Sequence, residues 1–431
     1  MNRLRIVLLI GILLGGTAAG QDSMTVEQAV QRVLQTHPAL DQAFANIRAA
    51  EARTSQAASA KLPDVTSEAT YAHIGPVPAF SFPVLGNFVL APADAYNAHV
   101  AGQYTFYDFG RTSSAVDLSR SREQTLRDAM ELTKTNLSLQ TIRVFYTIIL
   151  LQKSMKVQDE QIEALNQHLS VTQKRVAAGT ATSFDVLTTQ VRVAGAQNQK
   201  VDIQNSLQKQ EAMLGQLLNL PTQSLPLIHG SFQQTAMSLN IDSLSRLAMQ
   251  QRTELKLAHD AEQSAERQKA VNSLGNMPTL KVSAVYGLNN GYEPNIYPVR
   301  GNWVWGAQAQ VPIFDGGRVG HQEEEAEAAV QSEHAHGRDV EAQIRSDVEQ
   351  VVADVQAAAS KVEISELQLR QAHDAVTIAR TQYETGSITN LDLLDAVTAE
   401  SAAKLMNLQA LYRLVISKYD LQRAIGASLI D

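Results

Sequence analysis

No cysteine occurs among the 431 residues. That excludes disulfides, thiolate metal sites and cysteine nucleophiles, and it leaves no acceptor for an N-terminal lipid anchor. Proline is confined: none of the twelve falls between Pro63 and Pro221 except in the segment from Pro76 to Pro92, and none follows Pro312. Glycine is missing throughout 111–178. Basic residues (36) are outnumbered by acidic ones (44), for a net charge of −8. A surplus of acid argues against nucleic-acid binding. Beyond residue 20 no segment offers about eighteen consecutive apolar residues, so no transmembrane helix is expected. A chain of this kind enters a membrane only as part of a closed barrel, because hydrocarbon leaves no partner for an unpaired backbone group. There is also no Walker loop, no G-x-S-x-G elbow, no H-E-x-x-H helix and no dinucleotide fingerprint. Neither an enzyme nor a cofactor is expected.

What is present begins with an export signal. Met1-Asn2-Arg3-Leu4-Arg5 is basic, Ile6 to Gly16 is almost without polarity, and Ala18-Ala19-Gly20 are small. This reads as a secretory signal peptide over 1–20, cut before Gln21; a membrane anchor would need a longer apolar run. Cleavage removes Arg3 and Arg5 and leaves 34 basic against 44 acidic residues, about −10.

The rest of the chain is a duplication. Glu384 to Asp395 reads E-T-G-S-I-T-N-L-D-L-L-D, and Ala177 to Leu187 reads A-A-G-T-A-T-S-F-D-V-L. Gly179 matches Gly386, Thr182 matches Thr389, Asp185 matches Asp392 and Leu187 matches Leu394, each at an offset of 207. In each copy the glycine suits a left-handed helix stop. Thr389 or Asn390 (Thr182 in the first copy) suits the next N-cap, with an acid in the first helical turn. Each copy therefore predicts the tip of a helical hairpin.

Taken in order, Thr25 to about Ala60 is helical with a break at His37-Pro38, and Leu62-Pro63 stops it. Tyr96 to Tyr107 alternates with period two, as a strand does, and Asp64 to His73 is a weaker strand. A Pro-rich loop, Gly75 to Pro92, is expected between them. After Gly110 the pattern predicts one helix of some 65 residues, about 100 Å long. The second half repeats the arrangement: a helical stretch to Met277, alternating strands around Leu280–Leu288 and Trp303–Val311, then a second long helix. Phe314 to Arg318 matches Tyr107 to Arg111, and 69 residues separate this glycine from the tip glycine in both halves. The expected organisation is repeat 1 over 21–220, with a β-hairpin about 64–107, a long helix 111–176, a tip 177–187 and a helix to about 218. A linker follows over 221–240. Repeat 2 covers 241–431, with a β-hairpin about 279–314, a long helix 318–383, a tip 384–394 and a final helix to about 425.

Four strands cannot close a barrel, so closure requires several chains, and three would supply an even number, twelve. Aromatic residues near the strand ends (Tyr71, Tyr96, Trp303, Trp305) suit membrane interfaces. A soluble periplasmic coiled-coil scaffold without a pore is the alternative.

Export signal, duplication, paired strands flanked by very long helices, and the doubled G-x-x-T-x-x-D-x-L tip resemble the TolC-like outer-membrane efflux and secretion channels. The likeness covers Thr25 to Gly426. It implies a mixed α/β membrane protein with four strands and very long helices in two repeats per protomer. Three protomers would form a 12-stranded outer-membrane barrel continued by a periplasmic α-helical barrel. It implies a passive exit duct for small toxic molecules or secreted protein. The implied partners are a periplasmic adaptor and an inner-membrane RND or ABC transporter docking at the tips, with outer-membrane lipid around the barrel and an equatorial belt from Pro221 to Asn240.

Asp392 and Asp395 are three apart and face one way. Read from the residues alone, they either compensate the helix dipole or line a pore. The resemblance implies that they ring the periplasmic constriction, and that Asp185 and Tyr383 join neighbouring hairpins in the closed state. It implies that Gly179, Thr182, Gly386 and Thr389 shape the tips. Thr188 stands where the second copy has Asp395, and Ile388 where some family members carry a basic residue. The cluster His321, Glu323 to Glu325, His334 and His336 follows no compact ligand spacing, so no metal is expected there and the face is read as solvated.

Overall fold

The computed structural model describes residues 23–83, 86–232 and 239–430. The signal peptide expected over 1–20 and positions 233–238 of the expected linker lie outside the described residues. The first half runs β1 (Ser23–Met24), α1 (Val26–Thr36), α2 (Pro38–Ser59), β2 (Asp64–His73), β3 (Ala79–Phe82), β4 (Gly86–Val89), β5 (Asp94–Tyr107), α3 (Arg111–Ala177) and α4 (Ser183–Leu218). A 3-10 turn and β6 (Leu227–Ile228) lead to α5 (Ile241–Gln251), α6 (Thr253–Ser273), β7 (Thr279–Asn289), β8 (Arg300–Gln310), α7 (Arg318–Glu384) and α8 (Asn390–Ala424).

The two halves copy each other closely, and local chemistry explains why. α3 and α7 are both 67 residues long. Each starts behind an aspartate: Asp108 Oδ2 accepts from the Thr112 amide at 2.8 Å, and Asp315 Oδ2 accepts from the Val319 amide at 3.0 Å. These bonds satisfy donors that a helix start leaves without partners. The short first helix ends at His37 (ψ 126°), which is extended because a proline follows. Its counterpart Arg252 has nearly the same conformation (φ −64°, ψ 125°) with no proline. There the break is held by side-chain bonds. The buried Arg252 guanidinium donates to Glu254 at 2.9 Å, to Asp347 at 3.1 Å and to the Ala424 carbonyl at 3.5 Å. Gly426 (φ +72°) closes α8 against this break, and a Cβ there would lie 2.7 Å from the Gln251 carbonyl carbon.

The strands form one antiparallel sheet in the order β2-β5-β7-β8, so the first hairpin is joined to the second through β5 and β7. Tyr71 faces Tyr96 across β2 and β5, and Tyr286 faces Trp303 across β7 and β8. β2 is exposed along its whole length, and Trp305 on β8 is 74% exposed. The segment Gly75 to Pro92 is not all loop. Ala79–Phe82 pairs with Gly86–Val89 as a small hairpin, formed from a four-residue alternation too short to stand out among prolines.

The long helices bury their apolar sides against one another in a thin layer, so the core is drawn out along the molecule. Its widest part lies where α1 and the β6 segment pack on α3 and α4, around Phe145, Ile142, Ile148, Leu214 and Leu218. The second repeat builds the equivalent cluster from Ile344, Val348, Val352 and Leu421. Each of these side chains contributes about 1.5–3 kcal/mol by leaving water.

One buried polar contact stands apart. Asp128 on α3 (4% exposed) and Asp260 on α6 (9% exposed) lie side by side. Lys256 Nζ is 2.6 Å from Asp128 and the Gln124 amide donates to it at 3.1 Å, whereas Asp260 Oδ2 is buried with no partner. Burial, then the hydrogen bond and charge of Asp128, push Asp260 up to about 6. Burial acts upward on Asp128 too, but Lys256 and Gln124 outweigh it and hold that carboxyl below its usual range. A carboxyl bound more tightly to its proton when folded stabilises the fold at low pH and loses that contribution as pH rises through its folded pKa. Thermal stability is therefore expected to fall between about pH 4 and 6 through this pair. Asp260→Asn should flatten that part of the profile and stabilise the protein above about pH 6; an unchanged profile in thermal denaturation would contradict it.

Candidate gate at the hairpin tips

Both tips are built from the matched residues of the duplication. Past α3, Gly179 (φ +76°) turns the chain, and past α7, Gly386 (φ +77°) does the same. A side chain with a Cβ is strained in this conformation. The Thr180 amide reaches back to the Arg175 carbonyl at 2.8 Å, and the Ser387 amide to the Gln382 carbonyl at 2.8 Å, the bonds of a glycine-closed helix end. The following threonine caps the next helix. The Asp185 amide donates to Thr182 Oγ1 at 3.2 Å while Asp185 Oδ2 accepts from the Thr182 amide at 2.9 Å. The Asp392 amide donates to Thr389 Oγ1 at 3.3 Å, and Asp392 Oδ2 accepts from the Thr389 amide at 2.8 Å and hydroxyl at 2.6 Å. These bonds, the hydroxyl's first, hold Asp392 below the usual carboxylate range. Gly179, Thr182, Asp185, Gly386, Thr389 and Asp392 thus form two equivalent tips.

The two hairpins of the protomer meet along a seam whose side chains come mostly from unmatched positions. Asn390, 6% exposed, inserts its side chain between α3 and α4. Its Oδ1 lies 2.6 Å from His168 Nε2, and its Nδ2 donates to the Asp185 carbonyl at 3.2 Å and to Thr188 Oγ1 at 3.3 Å. The Arg175 guanidinium donates to the carbonyls of Tyr383 at 3.2 Å and Glu384 at 3.3 Å, and its Cζ sits 4.5 Å above the Tyr383 ring. His168 packs edge-on to that ring at 5.0 Å. Asp185 and Tyr383 therefore both belong to the seam. Asp185 contributes its backbone carbonyl while its carboxylate stays in the cap, and Tyr383 contributes its ring and carbonyl. Ile388 packs with the buried group of Ala379, Tyr383 and Leu393.

Asp395 lies one turn beyond Asp392 and crosses the seam, with its Oδ1 2.7 Å from Arg192 on α4. Both side chains are substantially exposed, so the pair is worth at most a few tenths to about 1 kcal/mol. The structure thus separates the two acids. Asp392 is bound into its own tip, and Asp395 is bridged to the neighbouring hairpin.

No sequence motif marks His168, Arg175 or Arg192, and by its position Asn390 reads only as a candidate cap. A signal for them existed in the positions where the copies differ. At the 207-residue offset His168 faces Ala375, Arg175 faces Gln382, Arg192 faces Ala399 and Asn390 faces Ser183. Matched positions build equivalent tips; a seam between non-identical faces draws on the rest.

The chain matches the family described as outer membrane efflux protein over residues 29–220 and 244–427. The chain belongs to that family. The two matched segments of this outer membrane efflux protein coincide with its two repeats. It is 22% identical to outer membrane protein TolC of Escherichia coli over 444 residues, covering 97% of this chain and 85% of that protein. It is 21% identical to the proteases secretion protein PrtF of Dickeya chrysanthemi, over 67% of this chain and 63% of that one. Its fold is similar to that of the outer membrane protein VceC of Vibrio cholerae, with TM-score 0.79 and 21% identity over 94% of this chain and 96% of that one. An outer-membrane efflux and secretion channel is not an enzyme, and the pore-free scaffold reading is set aside.

The His168 contact has a predictable pH response. Because Asn390 Nδ2 donates to Asp185 and Thr188, its Oδ1 is an acceptor, and His168 Nε2 must carry the proton. Burial pushes His168 below the usual histidine range, Arg175 and Arg380 add to this, and the Asn390 bond opposes it. A histidine with a depressed folded pKa costs stability as pH falls below its unfolded value of about 6.5. Acidification should therefore lower the protection factors of the tip amides, measured relative to the intrinsic exchange rate at each pH. Asn390→Ala, which leaves buried donors and acceptors unpaired, should loosen them at neutral pH by about 1–3 kcal/mol. Protection at Thr385–Leu394 indifferent to both changes would refute the role assigned to this contact.

Proposed function

We propose that three copies of this outer-membrane channel assemble into one duct, with a 12-stranded barrel in the membrane and the long helices continuing it as a tunnel through the periplasm. The observation that carries the reading is the sheet. Its edge strands β2 and β8 each pair on one side only among the described residues. Membrane hydrocarbon does not tolerate such edges, and joining β8 of one copy to β2 of the next, three times, closes the ring. The strands of 10 to 14 residues are long enough to span at a tilt. From the far ends of the 67-residue α3 and α7, about 100 Å away, the tips would reach an adaptor protein and an inner-membrane RND or ABC transporter. The cargo class, small molecules or secreted protein, would be set by those partners. PrtF carries protease secretion in its name, which supports the secreted-protein class for that relative.

In the same proposal Asp392 and Asp395 ring the closed constriction. Three copies of each would crowd carboxylates around one axis and favour cations. Their protomer partners make the two separable. Purified protein should run as a trimer resistant to sodium dodecyl sulfate and conduct weakly in planar bilayers. Asp395→Ala should raise conductance, by loss of both the charge and the Arg192 bridge. Arg192→Ala should raise it as well if the bridge holds the seam, but without loss of cation preference. Conductance unchanged in Asp392→Ala/Asp395→Ala would remove the ring, and a monomer would remove the duct.

A further inference from the structure

Along the sequence His334 groups only with its neighbours on α7, His321, Glu323 to Glu325 and His336. In the structure its partners come from another helix. Glu262 and Glu266 lie one turn apart on α6, on the same face, and His334 faces them from α7. One ligand atom from each of the three lies within 4.8 Å of the others. His334 Nδ1 is 2.8 Å from Glu262 Oε1, and the other Glu262 oxygen lies 4.0 Å from His259 Nδ1. His321, by contrast, pairs with Glu324 on its own helix.

We propose that Glu262, Glu266 and His334 bind a divalent cation of the zinc class and that the ion clamps α6 to α7 between the sheet and the central core. The next layer of the same two helices shows what the site is not. Seven residues away on each helix, Lys269 pairs with Glu327, an ordinary ion pair. In the His334 layer Glu262 stands at the α6 position of the lysine, the His334 imidazole stands at the α7 position of the glutamate, and Glu266 adds a second carboxylate. That is a donor set rather than a charge pair. The surroundings are acidic: Lys269 is already engaged by Glu327 and feels Glu323 and Glu266 besides. Imidazole selects zinc-like ions, whereas calcium and magnesium prefer all-oxygen sites. Zinc bonds of about 2.0–2.2 Å set tetrahedral donors about 3.4 Å apart, so His334 and Glu262, now 2.8 Å apart, would separate slightly while the third donor closes in from within 4.8 Å. His334 and Glu266 are exposed, so side-chain rotation closes the gap and water can fill the fourth position. All three donors belong to one protomer, so the site does not depend on the proposed trimer.

The test is equilibrium dialysis of the purified full-length protein against zinc at about pH 7.5, with metal counted by atomic emission. One zinc per chain is expected, not displaced by excess calcium. His334→Ala and Glu262→Gln/Glu266→Gln should each weaken that equivalent about tenfold or more. Zinc should also raise the unfolding temperature of the unaltered protein and not that of His334→Ala. No zinc retained by the unaltered protein, or the same stoichiometry and affinity in His334→Ala, would overturn the proposal.

Discussion

Unpaired backbone groups at the two edges of the sheet are the constraint on which the architecture depends. Among the described residues β2 and β8 each lack a neighbour on one side, and a four-stranded sheet is too narrow to curl onto itself. In an aqueous protein a helix could cover such edges. In hydrocarbon the partner has to be another strand. The helices follow from the same constraint. They leave the sheet directly behind the caps at Asp108 and Asp315, and they pack in a thin layer. The core is therefore a long series of small clusters, and apolar residues near the tips, Phe184 and Val191 among them, stay exposed.

Duplication and divergence divide the labour within that frame. The positions that remained equal after duplication, from the helix-starting aspartates to Gly179 and Gly386, build the same local structure twice. The positions that diverged hold the two copies together. His168, Arg175 and Arg192 lie on one hairpin, and Asn390, Tyr383 and Asp395 on the other. A seam of this composition is polar, directional and partly exposed. It is worth much less than a packed core. The Asp128–Asp260 contact differs in kind, because it ties α3 to α6 above the central core with a carboxylate that lacks a full set of partners.

The elements were readable because each rests on short-range chemistry. Proline-free stretches, the alternation from Tyr96 to Tyr107 and the Thr-x-x-Asp caps all act within a few residues. What escaped was short or long-range. The hairpin of β3 and β4 is too brief to announce itself. The break at Arg252 has no proline, and it depends on Asp347 and the Ala424 carbonyl, far away in the chain. At the tips, the capping roles of Thr182, Asp185, Thr389 and Asp392 were written locally.

The amino-acid sequence by itself determined the two repeats, the strands, the very long helices and their glycine-turned tips, since propensity, capping and periodicity operate over one or two turns. Only the tertiary structure decided that β5 pairs with β7 and that Asn390 enters the opposite hairpin. It also decided that Asp395 meets Arg192 and that His334 faces Glu262. Those contacts join residues tens to hundreds of positions apart, and their energies depend on distances that no local pattern encodes.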